Sequence, residues 1–225
     1  MPGRTLADSG ADVEAILREL GVGTIAAWGF SAGGPYALAT AAALGEVVAA
    51  VCVFAPMGPY RTPGLDFLRG RDDSFRAEVR MFFEDPAAAR AKFRSDAMES
   101  FGRLSTPEGW LNKWGDRAGK DPAHGRESAE YLASSFREGW TMGDEGWWED
   151  WGATLSPWGF DPADIAAPVG LWHGLGDTGC PPEHSRWIMA QLRDVSAHFP
   201  ARDDHTDIED NNRVAALRWL SECVR

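Results

Sequence analysis

The sequence predicts an α/β protein built on a parallel sheet, and three observations carry that prediction. Short apolar runs of strand length alternate with stretches of helical periodicity. A glycine-flanked serine, in "WGFSAGGPYALATAAALG", stands at one strand-to-helix junction. From Gly58 to Pro157 the alternation stops and an aromatic-rich, helix-patterned segment takes its place.

The elements follow in order. Val13, Ile16, Leu17 and Leu20 recur at helical spacing behind Ser9, with Asp12 three residues on as in a capping box, and Gly21 ends this first helix. Thr24 to Trp28 is a strand, the serine turn follows, and residues 34–44 form an alanine-rich helix ended by Gly45. Val47 to Phe54, rich in β-branched residues, is the second strand. Strands that read as continuous apolar runs are those buried on both faces, as in a parallel sheet covered by helices.

In the interrupting segment, Phe75, Val79, Phe82 and Phe83 share one helical face. Phe93, Ala97 and Phe101 share a second, and Leu132, Phe136 and Trp140 a third. Seven of the 11 tryptophans fall between Trp110 and Trp158. The strand pattern resumes at Pro168 to His173, then come a helix over 183–192, a weak strand near Ala197 to Phe199 and a closing helix over 208–223. Val214, Leu217 and Leu220 supply the apolar stripe of that last helix.

Composition excludes several classes of function. A chain of 225 residues, 44% of them hydrophobic, can bury a substantial core. A net charge of −12 without a local basic patch argues against nucleic acid and anionic membrane surfaces as partners. Three unclustered cysteines, Cys52, Cys180 and Cys223, suggest neither a disulfide framework nor a zinc site, so a reducing, cytoplasmic location is the default. No apolar run approaches a membrane span and the N-terminus shows no signal segment. No compact spacing of histidines and acids suggests a metal, and the Gly-x-Gly-x-x-Gly dinucleotide fingerprint is absent.

The chemistry centres on Ser31. A serine hydroxyl is a poor nucleophile until a histidine takes its proton and an acid orients that histidine. In Gly29-x-Ser31-x-Gly33 the flanking glycines are expected to leave room for the turn, although a glycine-flanked serine could also simply make one. Asp177 in "HGLGDTGCPPEH" follows the third strand and His205 in "FPARDDHTD" follows the last, which puts both at the same sheet edge as Ser31. A turn-forming aspartate is the plainer reading of Asp177, and a solvated acidic turn that of the segment around His205. His198 is the rival base but lies within the strand. His173 is expected to pack or hydrogen-bond behind the acid loop, with His124 and His184 at the surface.

The segments "GFSAGGPYAL" and "PWGFDPADIAAPVGLWHGLGDTGCPPEH", with the terminal histidine, resemble the cap-bearing, serine-nucleophile branch of the α/β-hydrolase superfamily. The resemblance covers nearly the whole chain apart from the variable insert. It implies a partial α/β-hydrolase fold: a parallel sheet with flanking helices and a helical cap insertion, divided as core over 1–57, cap over 58–157 and core over 158–225. It implies a nucleophile elbow at Ser31, Asp177 as acid, His205 as base and the Ala32 amide as one oxyanion donor. Phe30, Trp110, Trp140, Trp147, Trp148 and Trp151 are the implied substrate-binding residues. Such an enzyme is a serine esterase using no cofactor, with a small-molecule acyl substrate cleaved through an acyl-enzyme.

One departure qualifies the resemblance. Family members carry further strands, and a loop supplying a second oxyanion amide, ahead of the serine strand, whereas only about 23 residues precede Thr24 here. The expectation is an exposed edge at residues 24–28 through which the chain forms a homodimer or aggregates, and weak activity. The alternative expectation is a non-catalytic hydrolase remnant acting as a binding protein.

Overall fold

The computed structural model describes residues 3–119 and 124–224. Among these are four strands, β1 (Ile25–Phe30), β2 (Val48–Phe54), β3 (Val169–Trp172) and β4 (Val195–His198). The helices are α1 (Ser9–Leu20), α2 (Gly33–Leu44), α3 (Asp73–Glu84), α4 (Pro86–Leu104), α5 (Pro107–Trp114), α6 (Arg126–Gly139), α7 (Glu145–Leu155), α8 (Glu183–Gln191) and α9 (Ile208–Cys223). The chain divides into two compact units, one running up to Asp73 and resuming at Trp151, the other comprising Ser74–Asp150.

The first unit is the sheet unit. Its strands are all parallel in the order β1-β2-β3-β4. The register runs Phe30 to Phe54, Phe54 to Trp172 and Trp172 to His198, which aligns the carboxyl ends of all four strands. Alternation along β2 builds two cores. Val51 and Val53 face a cluster with Leu38, Ala41, Leu171 and Ile188, while Ala50, Cys52 and Phe54 face another with Trp172, Ile208, Ala216 and Leu220. A fully buried Val or Phe side chain contributes about 1.5–3 kcal/mol over an exposed one, so β2, covered on both faces, anchors the unit.

Local sequence explains where the elements begin and end. Gly21, at φ 65°, closes α1 in the left-handed conformation, its N–H donating to the Arg18 carbonyl. At the other end, the Asp8 carboxylate accepts from the Thr5 amide and hydroxyl, forming a short turn ahead of α1. Ser9 is therefore the first residue of α1 rather than its cap, and its hydroxyl donates back to the Leu6 carbonyl.

Three further expectations are corrected. The first strand runs on to Phe30, so Ser31 follows it directly. Ile16 and Leu20 on α1 are exposed. On α9 the buried face is Ile208, Ala216 and Leu220, with Val214 and Leu217 in solvent, because the helix meets the sheet through the aromatic side of β2 and β3. Among the described residues β1 pairs only with β2, and of its side chains Ala26 is exposed.

The regular elements among the described residues of the second unit are all helices. Proline in the first turn and a capping side chain start two of its helices: Asp85 accepts from the Ala88 amide at α4, and Thr106 from the Gly109 amide at α5. Alanines at 89, 97, 129 and 133 are buried and let backbones approach, while aromatic rings fill the spaces between. Phe101 stacks on Trp140 with ring centroids 5.0 Å apart, and Phe93 meets Trp147 and Trp148 edge-on. Arg90 and Arg94 both pair with Asp144, and chiefly the Arg90 bond holds that carboxyl well below the usual carboxylate range. No helix among the described residues is long and apolar enough to cross a membrane, and the three cysteines are unbridged.

Candidate active site

The turn after β1 sets Ser31 in an unusual backbone state. Its φ is 53°, left-handed for a residue with a Cβ, and backbone bonds hold it there. Its N–H donates to the Phe54 carbonyl at 2.8 Å, and its own carbonyl accepts from Gly34 and Met57. Only glycine fits at 29, where a Cβ would lie 2.4 Å from the Gly33 carbonyl oxygen, and at 34, where it would meet Pro56 at 2.6 Å. Gly33 is a correction to the motif reading. A Cβ there would meet nothing within 4 Å, so the turn is tight against Gly29 and Gly34 rather than against the two glycines of the motif.

Asp177 lies in the loop after β3 and is buried. Its Oδ1 accepts from the Cys180 amide at 2.7 Å, and its Oδ2 accepts from His205 Nδ1 at 2.7 Å. Burial pushes the Asp177 carboxyl up, but bonds from His173, His205 and Cys180 outweigh it, and the group is held well below the usual carboxylate range. A carboxylate can only accept, so His205 Nδ1 carries the proton and, in the neutral ring, Nε2 is the acceptor. That nitrogen lies 3.0 Å from Ser31 Oγ. The Phe30 ring packs against that of His205, at 5.0 Å between centroids.

Ser31, His205 and Asp177 thus form one hydrogen-bonded chain at the shared carboxyl edge of the sheet. Such a chain can withdraw a proton from a serine hydroxyl. Ala32, at φ −61° and ψ −23°, is the residue from which α2 starts. Its N–H is among the helix-start donors that no intrahelical carbonyl satisfies, next to the hydroxyl and at the positive end of the helix. Among the described residues no group of three or more His, Cys, Asp or Glu side chains could hold a metal ion.

The loop carrying His205 is braced rather than loose. Asp203 is buried, its two carboxylate oxygens accepting from the side-chain amides of Asn211 and Asn212 at 2.9 and 2.7 Å. Asp204 Oδ1 accepts from the Thr206 amide and hydroxyl and from the Asp207 amide. The acidic run around His205 is therefore a built turn, not a solvated one. Its two asparagines stand at the start of α9, eight and nine residues beyond Asp203, and "DDHTDIEDNN" gives no spacing rule that would have singled them out.

Other predicted positions sort clearly. His198 is exposed and stacks on Trp172 with centroids 4.6 Å apart, so it has no part in the chain at Ser31. His173 is fully buried behind the acid loop. His184 and His124, expected at the surface, are buried. The His184 Nδ1 accepts from the Gly58 amide at 3.0 Å and its ring meets Phe67 edge-on, while His124 meets Trp114 edge-on. Of the predicted substrate-binding residues, Phe30 is at the serine, and Trp151 is half-buried in the sheet unit. Trp110, Trp140, Trp147 and Trp148 belong to the helical unit, each in contact with other aromatic rings there.

Neither family models nor curated proteins match this sequence. Solved structures do. A bacterial membrane phospholipase A, described as a virulence factor, superposes with a TM-score of 0.61 at 15% identity over 97% of this chain and 62% of its own. An esterase from Exiguobacterium antarcticum gives 0.61 at 15% identity, over 98% of this chain and 74% of its own. An α/β-hydrolase fold protein from Nakamurella multipartita gives 0.58 at 20% identity, over 97% and 75%. The chain therefore has an α/β-hydrolase fold, in a four-stranded, partial form, and spans less than two thirds of the phospholipase and about three quarters of the other two.

Proposed function

We propose that the chain is a serine hydrolase that cleaves a small or medium carboxylic ester, or a related acyl compound, through an acyl-enzyme. The observation that carries this reading is the contiguous chain from Ser31 Oγ to His205 Nε2 at 3.0 Å and from His205 Nδ1 to Asp177 Oδ2 at 2.7 Å. The fold shared with esterases supports the same reading.

In this mechanism His205 Nε2 accepts the Ser31 proton as Oγ attacks the acyl carbon, and Asp177 stabilises the resulting imidazolium. The oxyanion of the tetrahedral intermediate takes the Ala32 N–H at the start of α2. Collapse expels the alcohol, which leaves with the proton held by His205. Water, deprotonated by the same nitrogen, then attacks the acyl-enzyme and returns Ser31 to its starting state. Selection of the acyl group is assigned to Phe30, whose ring packs on His205.

Initial-rate hydrolysis of p-nitrophenyl esters of increasing acyl length tests the proposal. Ser31→Ala and His205→Ala are each expected to lower kcat by about 10⁴- to 10⁶-fold and Asp177→Asn by about 10⁴-fold. Undiminished turnover in Ser31→Ala would reject the reading.

A further inference from the structure

The hydrogen-bonded chain does not stop at Asp177. His173, the first residue beyond β3, has a ring fully removed from solvent and a partner on each nitrogen. Its Nε2 lies 2.7 Å from the Cys180 carbonyl oxygen and 3.2 Å from Asp177 Oδ2. Its Nδ1 lies 2.6 Å from Ser185 Oγ, on α8. A carbonyl and a carboxylate are acceptors only, so the proton sits on Nε2. In the neutral ring Nδ1 must then accept, and the Ser185 hydroxyl, which can rotate to either role, donates.

We infer that His173, held by Ser185, is a positioning residue for the acid of the proposed catalytic chain, fixing the Asp177 carboxylate that orients His205. This rests on the serine hydrolase reading for its catalytic consequence, but not for its geometry. Asp177 Oδ2 receives the His205 Nδ1–H at 2.7 Å and lies 3.2 Å from His173 Nε2, whose single hydrogen points first to the nearer Cys180 carbonyl oxygen, while Oδ1 receives the Cys180 amide. The carboxylate is thereby held from three sides and cannot rotate about its own Cβ without breaking a bond.

The two histidines act differently on the same oxygen. His205 is partly open to solvent and takes up and returns the Ser31 proton at Nε2 while its Nδ1–H stays on Oδ2, whereas the ring of His173 is fully buried and has no contact with Ser31. The fixed Nε2–H withdraws negative charge from Oδ2, which tempers the pull of Asp177 on the imidazolium formed at His205 during turnover. The other titratable groups whose fields meet here are His184, Cys180 and the half-buried Arg71. Burial pushes the Cys180 thiol up to about 12 and the His184 ring down to about 4, so at neutral pH both are uncharged and only Arg71 adds a full positive charge.

His173→Phe keeps the ring volume and removes both nitrogens, while His173→Gln returns an amide donor at the reach of Nε2. The Phe variant is expected to lower kcat about 10- to 100-fold with KM little changed, as for loss of a hydrogen bond to a charged group. The acid limb of its kcat/KM profile moves to higher pH, because Oδ2 then pulls harder on the imidazolium. The Gln variant recovers most of kcat and the original limb.

Wild-type kcat and profile in His173→Phe would overturn the inference, as would equal losses in both variants with an unmoved profile, which is the signature of packing alone. If His173→Phe does not fold, Ser185→Ala tests the same tether with a smaller loss in kcat. Independently of turnover, ¹⁵N histidine spectra of the wild-type chain at neutral pH are expected to show His173 protonated on Nε2 and bare on Nδ1. The opposite tautomer rejects the inference even if the enzyme is active. If no ester is hydrolysed the function proposed above fails, and the spectrum still decides the placement of this proton.

Discussion

Gly174 is pressed against the carbonyl of Asp203, so closely that a Cβ on the glycine would stand 2.1 Å from that oxygen. The contact fastens the loop of the acid to the loop of the histidine. It is reinforced by the Gly176 amide, which donates to the same Asp203 carbonyl at 3.1 Å, and by the Leu175 amide, which donates to Pro200. The 2.7 Å bond between Asp177 and His205 therefore depends on two backbone segments that meet at a glycine.

Gly174→Ala is expected to separate these loops. Backbone stands on the far side of the missing Cβ, so the neighbour cannot swing away as a flexible side chain would. A displacement of about 1 Å at a catalytic group costs about 10²-fold in rate, and the crowding itself about 1–3 kcal/mol of stability. Ester hydrolysis and urea unfolding of the variant measure the two effects separately.

The strained backbone at Ser31 makes a second prediction, on stability alone. A left-handed φ of 53° is unfavourable for a residue with a Cβ and open to glycine. Ser31→Gly and Ser31→Ala both delete the hydroxyl, but only glycine relieves the turn. Urea denaturation is expected to find the Gly variant more stable than the Ala variant by about 1 kcal/mol. Equal stabilities would mean that the turn stores no strain.

His184 gives the pH dependence a definite sign. Burial, with the charge of Arg71 and a contribution from His173, pushes its ring down from 6.5 to about 4. Below about pH 6.5 the unfolded chain takes up a proton that the folded chain refuses until about pH 4. The stability due to the neutral ring is complete above 6.5 and falls away across that window, by about 3 kcal/mol. His184→Gln keeps an acceptor for the Gly58 amide and does not titrate. Its unfolding free energy is expected to change less between pH 7 and pH 4 than that of the wild type.

Much of this was legible in the sequence because it rests on local chemistry. The order of strands and helices in the sheet unit follows from apolar runs and glycine stops, and three residues brought together at the sheet edge, Ser31, Asp177 and His205, each stand just past a strand. What was hidden depends on contacts between distant segments. Nothing local marks Gly34 rather than Gly33 as the glycine that the turn cannot spare, since the reason is Pro56 beyond the next strand. Ser185, Asn211 and Asn212 look like ordinary helix residues until folding sets them beside His173 and Asp203. His184 reads as a polar helix residue, yet α8 buries it against Phe67 and the Gly58 amide. On α1 and α9 the apolar periodicity marked helices correctly but not their buried faces, because Ile16, Leu20, Val214 and Leu217 remain in solvent.

The central claim is that Ser31 is an activated nucleophile, and intact-mass spectrometry after treatment with a fluorophosphonate tests it most directly. Phosphonylation needs a serine whose proton a base removes, and it needs no knowledge of the natural substrate. One adduct per chain is expected, mapping to Ser31 on digestion, absent in Ser31→Ala and strongly slowed in His205→Ala. A folded wild-type chain that stays unlabelled, or one labelled equally after Ser31→Ala, would contradict the account.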